Sequence, residues 1–351
     1  MIKVLIVDDS AFIRKVIKDI LEIDKEIEVV GLARNGKEAL EKIPILNPDV
    51  ITLDIEMPVM DGIETLREIV NKYKIPVIML SSLTTEGADL TLKALEIGAV
   101  DFVQKPKNVF NVSSEIKQDL LIEKIKIVSK SNLKIDDKIS GGKAIYKREL
   151  KISKTKYDKE SFDAIVAIGT STGGPRALQQ VIPKIPKDIN AAIVIVQHMP
   201  PGFTKSLANR LDTLSHIKVK EGEDGEKLMR GCCYIAPGDF HMSVIQKNRD
   251  YIVRLDKNPP ISGLRPAADI LMESVSKLNN INKLGIILTG MGSDGAKGIV
   301  EMKKANSYII AEDEKSCIVF GMPKSAINTG SVDLVLPLDK IGDEIINRVG
   351  V

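Results

Sequence analysis

Short apolar runs alternate with helix-periodic stretches over residues 1–128. Residues 4–7, 28–32, 50–53, 77–80 and 102–104 are strand-sized runs, while 11–23, 36–46, 62–71, 86–96 and 114–128 space their apolar side chains as helices do. Strand and helix in strict succession predict a doubly wound α/β domain on a five-stranded parallel sheet. The pattern resumes after residue 160, where the runs 164–168, 192–196 and 285–288 are again strand-like, with helical stretches between them. A second, mostly parallel α/β domain is expected there. Ligands of such sheets bind at the carboxyl ends of the strands, so the residues just after each run are the candidates for chemistry.

Charge separates these regions. Residues 1–128 hold 17 Lys and Arg against 22 Asp and Glu, residues 129–160 hold 10 against 5, and residues 161–351 hold 23 against 21. The middle stretch contains Gly141-Gly142 and no sustained apolar period, so it reads as a basic, solvated linker between two domains. A chain that is 44% apolar and 28% charged, with a net charge of +2, is neither disordered nor globally basic, which argues against a nucleic-acid partner. The apolar runs fall far short of the roughly 20 residues of a membrane-spanning helix, and the amino terminus turns acidic after one short run, unlike an export signal. A cytoplasmic protein with no membrane insertion is expected. Cys232, Cys233 and Cys317 offer neither an even disulfide set nor a C-x-x-C metal clip, and they read as reduced thiols.

Asp8 and Asp9 follow the first run, Asp54 the third, Ser81 the fourth and Lys105 the fifth. In a parallel sheet these groups converge on one rim. Crowded carboxylates repel one another unless a hard divalent cation such as Mg²⁺ sits among them, and such a cation leaves coordination positions for phosphate oxygens. A single acid after a strand is as well explained as a turn or cap residue, but five polar groups at matched strand ends are not. The segments VLIVDDSAF, ITLDIEMPVMDG, MLSS and DFVQKP resemble, in order, those of response-regulator receiver domains. The resemblance implies a flavodoxin-like fold with Asp54 as phosphoacceptor and Mg²⁺ held by Asp8, Asp9 and Asp54. It also implies a phosphoryl-contacting hydroxyl at Ser81, with Ser82 adjacent, and Lys105 paired with the phosphoryl group. The switch aromatic would be Phe102, where many receivers carry Tyr.

In the second region, Gly169-Thr170-Ser171-Thr172-Gly173 fits G-x-S-x-G, in which a sharp strand-to-helix turn exposes a serine hydroxyl and aims backbone N–H groups at a developing oxyanion. Taken instead as a dinucleotide fingerprint, the loop has Ser171 in place of the middle glycine, and no acidic residue closes the next run. His198 stands there. Among the three histidines it is better placed for a site than His216 or His241, which lie in polar contexts. Asp294 follows the run 285–288 in a glycine-rich loop, where an aspartate alone would be a turn former. Parallel strands would bring Ser171, His198 and Asp294 to one face as nucleophile, general base and base-orienting carboxylate. Their chain order differs from the Ser, Asp, His order of α/β-hydrolases.

The segments GTSTGG, QHMPPGFT, YIAPGDFHM, LTGMGSDGA and VFGMP resemble the catalytic domain of CheB-type protein-glutamate methylesterases across nearly all of 161–351. The resemblance implies that Ser171, His198 and Asp294 form the triad, that backbone around Met291 contributes to an oxyanion hole, and that ester hydrolysis needs no cofactor. Mg²⁺ would serve only receiver phosphorylation. The implied reaction is hydrolysis of glutamate γ-methyl esters on methyl-accepting chemotaxis receptors, with release of methanol, and deamidation of receptor glutamines in some members. The implied phosphodonor is a chemotaxis histidine kinase. Two other classes remain to be weighed. A receiver-controlled DNA-binding regulator would suit the domain order and the basic linker, but residues 161–351 show neither a helix-turn-helix pattern nor a basic cluster. A nucleotide-binding module could be built on the GTSTGG loop.

Overall fold

The structure, a computed structural model, describes residues 1–82, 84–105, 118–130 and 161–351. The expected linker, beyond its first two residues, and the part of the expected helix 114–128 before Gln118 lie outside the described residues.

The first domain has strands β1 (Ile2–Val7), β2 (Ile27–Ala33), β3 (Val50–Asp54), β4 (Val77–Ser81) and β5 (Asp101–Gln104), all paired in parallel in the order β2-β1-β3-β4-β5. Helices α1 (Ala11–Leu21), α2 (Gly36–Leu46), α3 (Gly62–Glu68), α4 (Thr85–Ile97) and α5 (Gln118–Val128) complete the units. Ser10, Asn35, Asp61 and Thr84 start the first four by accepting the backbone N–H three residues on, which satisfies an otherwise unpaired helix donor. The stretch expected as one helix over 62–71 instead ends its α-helical part at Glu68 and continues as a π-helical turn, Ile69–Tyr73. β3 and β4 are buried along their whole length, as strands covered on both faces must be.

The second domain is a seven-stranded sheet in which every pairing is parallel. Its order is β14-β13-β12-β6-β7-β9-β8, from β6 (Ala164–Thr170), β7 (Ala191–Gln197), β8 (Lys218–Glu221), β9 (Cys232–Ile235), β12 (Asn282–Ile287), β13 (Tyr308–Glu312) and β14 (Leu334–Leu336). An antiparallel hairpin, β10 (His241–Lys247) with β11 (Asp250–Asp256), stands apart. The flanking helices are α6 (Gly174–Val181), α7 (Phe203–Leu214), α8 (Ala268–Ser276), α9 (Ala296–Lys304), α10 (Met322–Asn328) and α11 (Leu338–Val349). The three runs legible from hydrophobicity, β6, β7 and β12, are the adjacent central strands. The missed strands are short or partly polar: the edge strands β8 and β14 need only one apolar face, and the interior β9 and β13 are runs of four and five residues.

Candidate active site

Two rims of polar groups form where these sheets end. In the first domain β1 and β3 are neighbours at the point where the strand order reverses, so Asp8 and Asp54 meet. Both are buried and Asp9 is exposed, and one carboxylate oxygen from each lies within 4.8 Å of the others. Lys105 Nζ lies 2.8 Å from Asp8 Oδ2 and 2.7 Å from Asp54 Oδ2. Burial drives the Asp54 carboxyl up to about 6; the Lys105 ammonium opposes the rise and the Asp8 charge adds to it. Burial also works against the Lys105 ammonium, but Asp54 and Asp8 outweigh it and raise its pKa. An all-oxygen donor set with one solvent-facing member suits a hard divalent cation that keeps some of its water. Ser81 is fully buried, with Oγ 2.6 Å from Thr91 Oγ1 on α4 and 3.2 Å from the Gly87 carbonyl. Ser82 Oγ lies 3.2 Å from Thr84 Oγ1.

In the second domain β6 and β7 run side by side with Thr170 opposite Gln197, so Ser171 and His198 leave the sheet as neighbours. β12 lies on the other side of β6 and brings the loop of Met291 and Asp294 over the same rim. His198 Nε2 is 2.7 Å from Asp294 Oδ2. That carboxylate also accepts the N–H groups of Ala268 at 2.6 Å, Asp269 at 3.0 Å and Gly295 at 3.0 Å. Ala268 and Asp269 open α8, so the charge sits at the positive end of a helix. Burial alone would raise the Asp294 pKa, but the His198 hydrogen bond and charge, with the amides, outweigh it and hold the pKa below the usual carboxylate value. With Nε2 engaged by Asp294, Nδ1 is the ring nitrogen left for a proton donor. The His198 side chain is only 8% exposed. Among the described residues no hydrogen bond joins the Ser171 hydroxyl to the imidazole; such bonds often tighten only with substrate present. His198 and Asp294 are therefore joined by contact, and Ser171 by strand adjacency.

The Ser171 loop is anchored from β12. Ser171 N–H donates to the Thr289 carbonyl at 3.1 Å and Thr170 Oγ1 donates to the same oxygen at 2.9 Å. Thr289 Oγ1 lies 3.0 Å from the Thr172 carbonyl, and Thr289 N–H donates to Glu312 Oε2 at 2.7 Å. Glu312 is fully buried, and burial drives its carboxyl up to about 7. A Cβ on Gly290 would lie 2.8 Å from Ser171 Cβ, so a glycine is needed for the loop carrying half-buried Met291 to close on the serine. Sequence reasoning missed Thr289 and Glu312. Thr289 follows a strand as Ser171 does, but nothing in its own motif marks it as a clamp, and Glu312 ends a strand that was not expected.

The first domain lies against this site. Thr172, next to Ser171, donates through Oγ1 to Asp101 Oδ2 at 2.6 Å, and Asp101 is also paired with Lys124 at 2.8 Å. Phe102 is buried with its ring stacked on Phe203, centroids 4.7 Å apart and planes 12° from parallel. Phe203 opens α7 directly after the turn that follows His198. Glu96 on α4 accepts from Arg210 at 2.6 Å and 3.1 Å and from Gln179 at 3.1 Å. The α4–β5 edge thus touches the segments that carry both Ser171 and His198.

The receiver-domain reading of residues 1–128 and the esterase reading of 161–351 each meet an independent match. The family model described as the CheB methylesterase matches residues 166–345, and that of the response regulator receiver domain matches residues 4–117. A protein-glutamate methylesterase/protein-glutamine glutaminase of Pyrococcus horikoshii is 49% identical over 350 residues, covering 99% of this chain and 94% of the relative. The protein of the same description from Halalkalibacterium halodurans is 50% identical over 347 residues, covering 99% of this chain and 98% of the relative. The crystal structure of the Thermotoga maritima CheB methylesterase catalytic domain superposes with a TM-score of 0.52 at 50% identity, covering 54% of this chain and 100% of that one. No helix among the described residues is long and apolar enough to cross a membrane. With both family models met in order and relatives near half identical along almost the whole length, the chain belongs to the CheB methylesterase family, with a response regulator receiver domain preceding its catalytic domain.

Proposed function

We propose that this chain is a phosphorylation-controlled, cytoplasmic protein-glutamate methylesterase acting on methyl-accepting chemotaxis receptors. The observation that carries the catalytic reading is the 2.7 Å contact of His198 Nε2 with an amide-bound Asp294 carboxylate beside Ser171. Ser171 Oγ attacks the γ-ester carbonyl while His198 Nδ1 takes its proton. Backbone N–H groups around Met291 receive the developing oxyanion. Methanol leaves with the proton returned from His198, and water, deprotonated by the same imidazole, releases the glutamate and restores Ser171. Asp294 holds the imidazole and stabilises its charged form. The same sequence applied to a glutamine side chain releases ammonia, in keeping with the glutaminase half of the relatives' description.

Asp54 is the phosphoacceptor and a chemotaxis histidine kinase the donor. A Mg²⁺ ion held by Asp8, Asp9 and Asp54 would supply positive charge to offset the incoming phosphoryl oxygens. Lys105, already between Asp8 and Asp54, is placed to pair with the phosphoryl group, and Ser81 must leave Thr91 to contact it. Phe102 is the switch aromatic, and its stacking on Phe203 supports a receiver that restrains the catalytic loops until Asp54 is phosphorylated. Methanol release from a methylated receptor tests the whole reading. The parent chain should turn over, a small phosphodonor with Mg²⁺ should raise the rate, and Ser171→Ala should lose it by several orders of magnitude. Near-parent hydrolysis by Ser171→Ala would overturn the assignment.

A further inference from the structure

Gln197 closes β7 immediately before His198 and is only 2% exposed. Its Nε2 lies 2.9 Å from the Ser171 carbonyl oxygen and 3.3 Å from that of His198. One amide nitrogen therefore ties together the backbones of the two residues between which a proton must move. The orientation follows from the partners, because turning the amide over would set its oxygen against two carbonyl oxygens. The outward oxygen, Oε1, is buried with no hydrogen-bond partner among the described residues. A buried polar atom left unpaired is costly, and an apolar side chain of equal length would carry no such atom. What the amide contributes in return is its pair of donors.

The surrounding loop leaves room for this side chain. A Cβ on Gly174 would lie 1.9 Å from Gln197 Oε1 and 2.5 Å from Thr170 Oγ1, so glycine at that position clears the space the amide occupies. Gln197 also complements the anchor from β12. The Ser171 N–H is held by the Thr289 carbonyl, and the Ser171 carbonyl is held by Gly174 N–H at 2.8 Å and by Gln197. Both ends of the nucleophile's backbone are thus tethered to neighbouring strands, and the β7 tether is shared with the general base.

We infer that Gln197 is a positioning residue of the hydrolysis, fixing through its two hydrogen bonds the distance at which Ser171 and His198 exchange a proton. The inference rests on the triad proposed above. A displacement of about 1 Å between reacting groups can cost roughly 100-fold in rate, so loss of the tether should appear in the chemical step and not in substrate affinity.

The experiment uses the full chain with Gln197→Met, which keeps the length and removes the donors, and Gln197→Leu as a second donor-free variant. Four quantities are read: kcat and KM on methylated receptor, the rate at which a small serine-directed phosphonate labels Ser171, and Tm. The expected result is a fall of about 100-fold in both kcat and labelling rate, with KM within about twofold of the parent, in a variant whose Tm shows it folded. A labelling reagent needs no receptor docking, so its rate isolates the serine and its base. A folded variant that labels at the parent rate overturns the positioning role. Ser171→Ala is run beside them: labelling and turnover that persist there would refute the triad itself, whereas their loss there with parent-like Gln197 variants would refute only the present inference.

Discussion

Replacing Thr172 by valine removes one hydroxyl from the contact between the two domains and keeps the shape of the side chain. In the structure this hydroxyl donates to Asp101 at 2.6 Å in a buried setting, alongside the Phe102–Phe203 stack and the Glu96–Arg210 pair. A hydrogen bond to a charged group contributes about 1.5–3 kcal/mol. Asp101 keeps Lys124 and the Phe102 N–H as partners after the change, so the lower end applies. About 1.4 kcal/mol is tenfold in an equilibrium constant, and where the restrained arrangement dominates, the rate follows the small released fraction. Unphosphorylated Thr172→Val should therefore hydrolyse receptor methyl esters up to about tenfold faster than the unphosphorylated parent. The remaining stack and ion pair should keep it below a catalytic fragment starting near Ser161. The relative solved as an isolated catalytic domain, 50% identical, supports using such a fragment. Initial rates of methanol release at equal salt are compared for parent, variant, and the fragment with and without the substitution. A full-length rate no higher than the parent's, with the fragment's rate unchanged by Thr172→Val, would refute the restraint through this bond. A fragment accelerated to the same degree would show that the hydroxyl acts within the catalytic loop instead.

Asp294→Asn should impair turnover severely, because an amide no longer holds the imidazole in the required tautomer or stabilises its charged form; steady-state kinetics would show the loss mainly in kcat. Asp54→Asn should abolish incorporation of phosphoryl from a small donor, and chelation of divalent cations should do so in the parent, both read by mass spectrometry. Glu312 provides a pH test. Its folded-state pKa, raised from 4.5 to about 7, means that the native protein binds more protons than the unfolded chain in that window. Its contribution is present below the unfolded value and is lost as pH rises through the folded one, a difference of about 3 kcal/mol. In urea unfolding at about pH 5 and about pH 8, Glu312→Gln should lack this share of the parent's decline. Parallel pH dependence in parent and variant would contradict it.

Much of the architecture was written in local pattern. The strands β6, β7 and β12 and the receiver's interior strands β1, β3 and β4 are apolar runs bounded by turns, and burial on both faces makes such runs visible without knowledge of their neighbours. For the same reason Ser171, His198, Asp54 and Lys105 could be singled out as polar residues placed directly after a run. Edge strands β8 and β14 carry no such signal, because a strand with one covered face and few residues differs little from a loop.

What the sequence by itself determined, then, is which groups stand at the ends of which strands, since that depends on the order of residues along one segment. Only the tertiary structure decided how they meet. Strand order put β12 beside β6, so an aspartate far along the chain reaches His198 and draws two amides from the start of α8. The same packing set Gln197 beneath both Ser171 and His198, brought Glu312 to Thr289, and laid Asp101 and Phe102 against Thr172 and Phe203. Each of these contacts joins side chains whose local sequence is equally compatible with other partners. Their choice comes from the register and order of strands, which decide which polar groups face one another and leave no trace in any single motif.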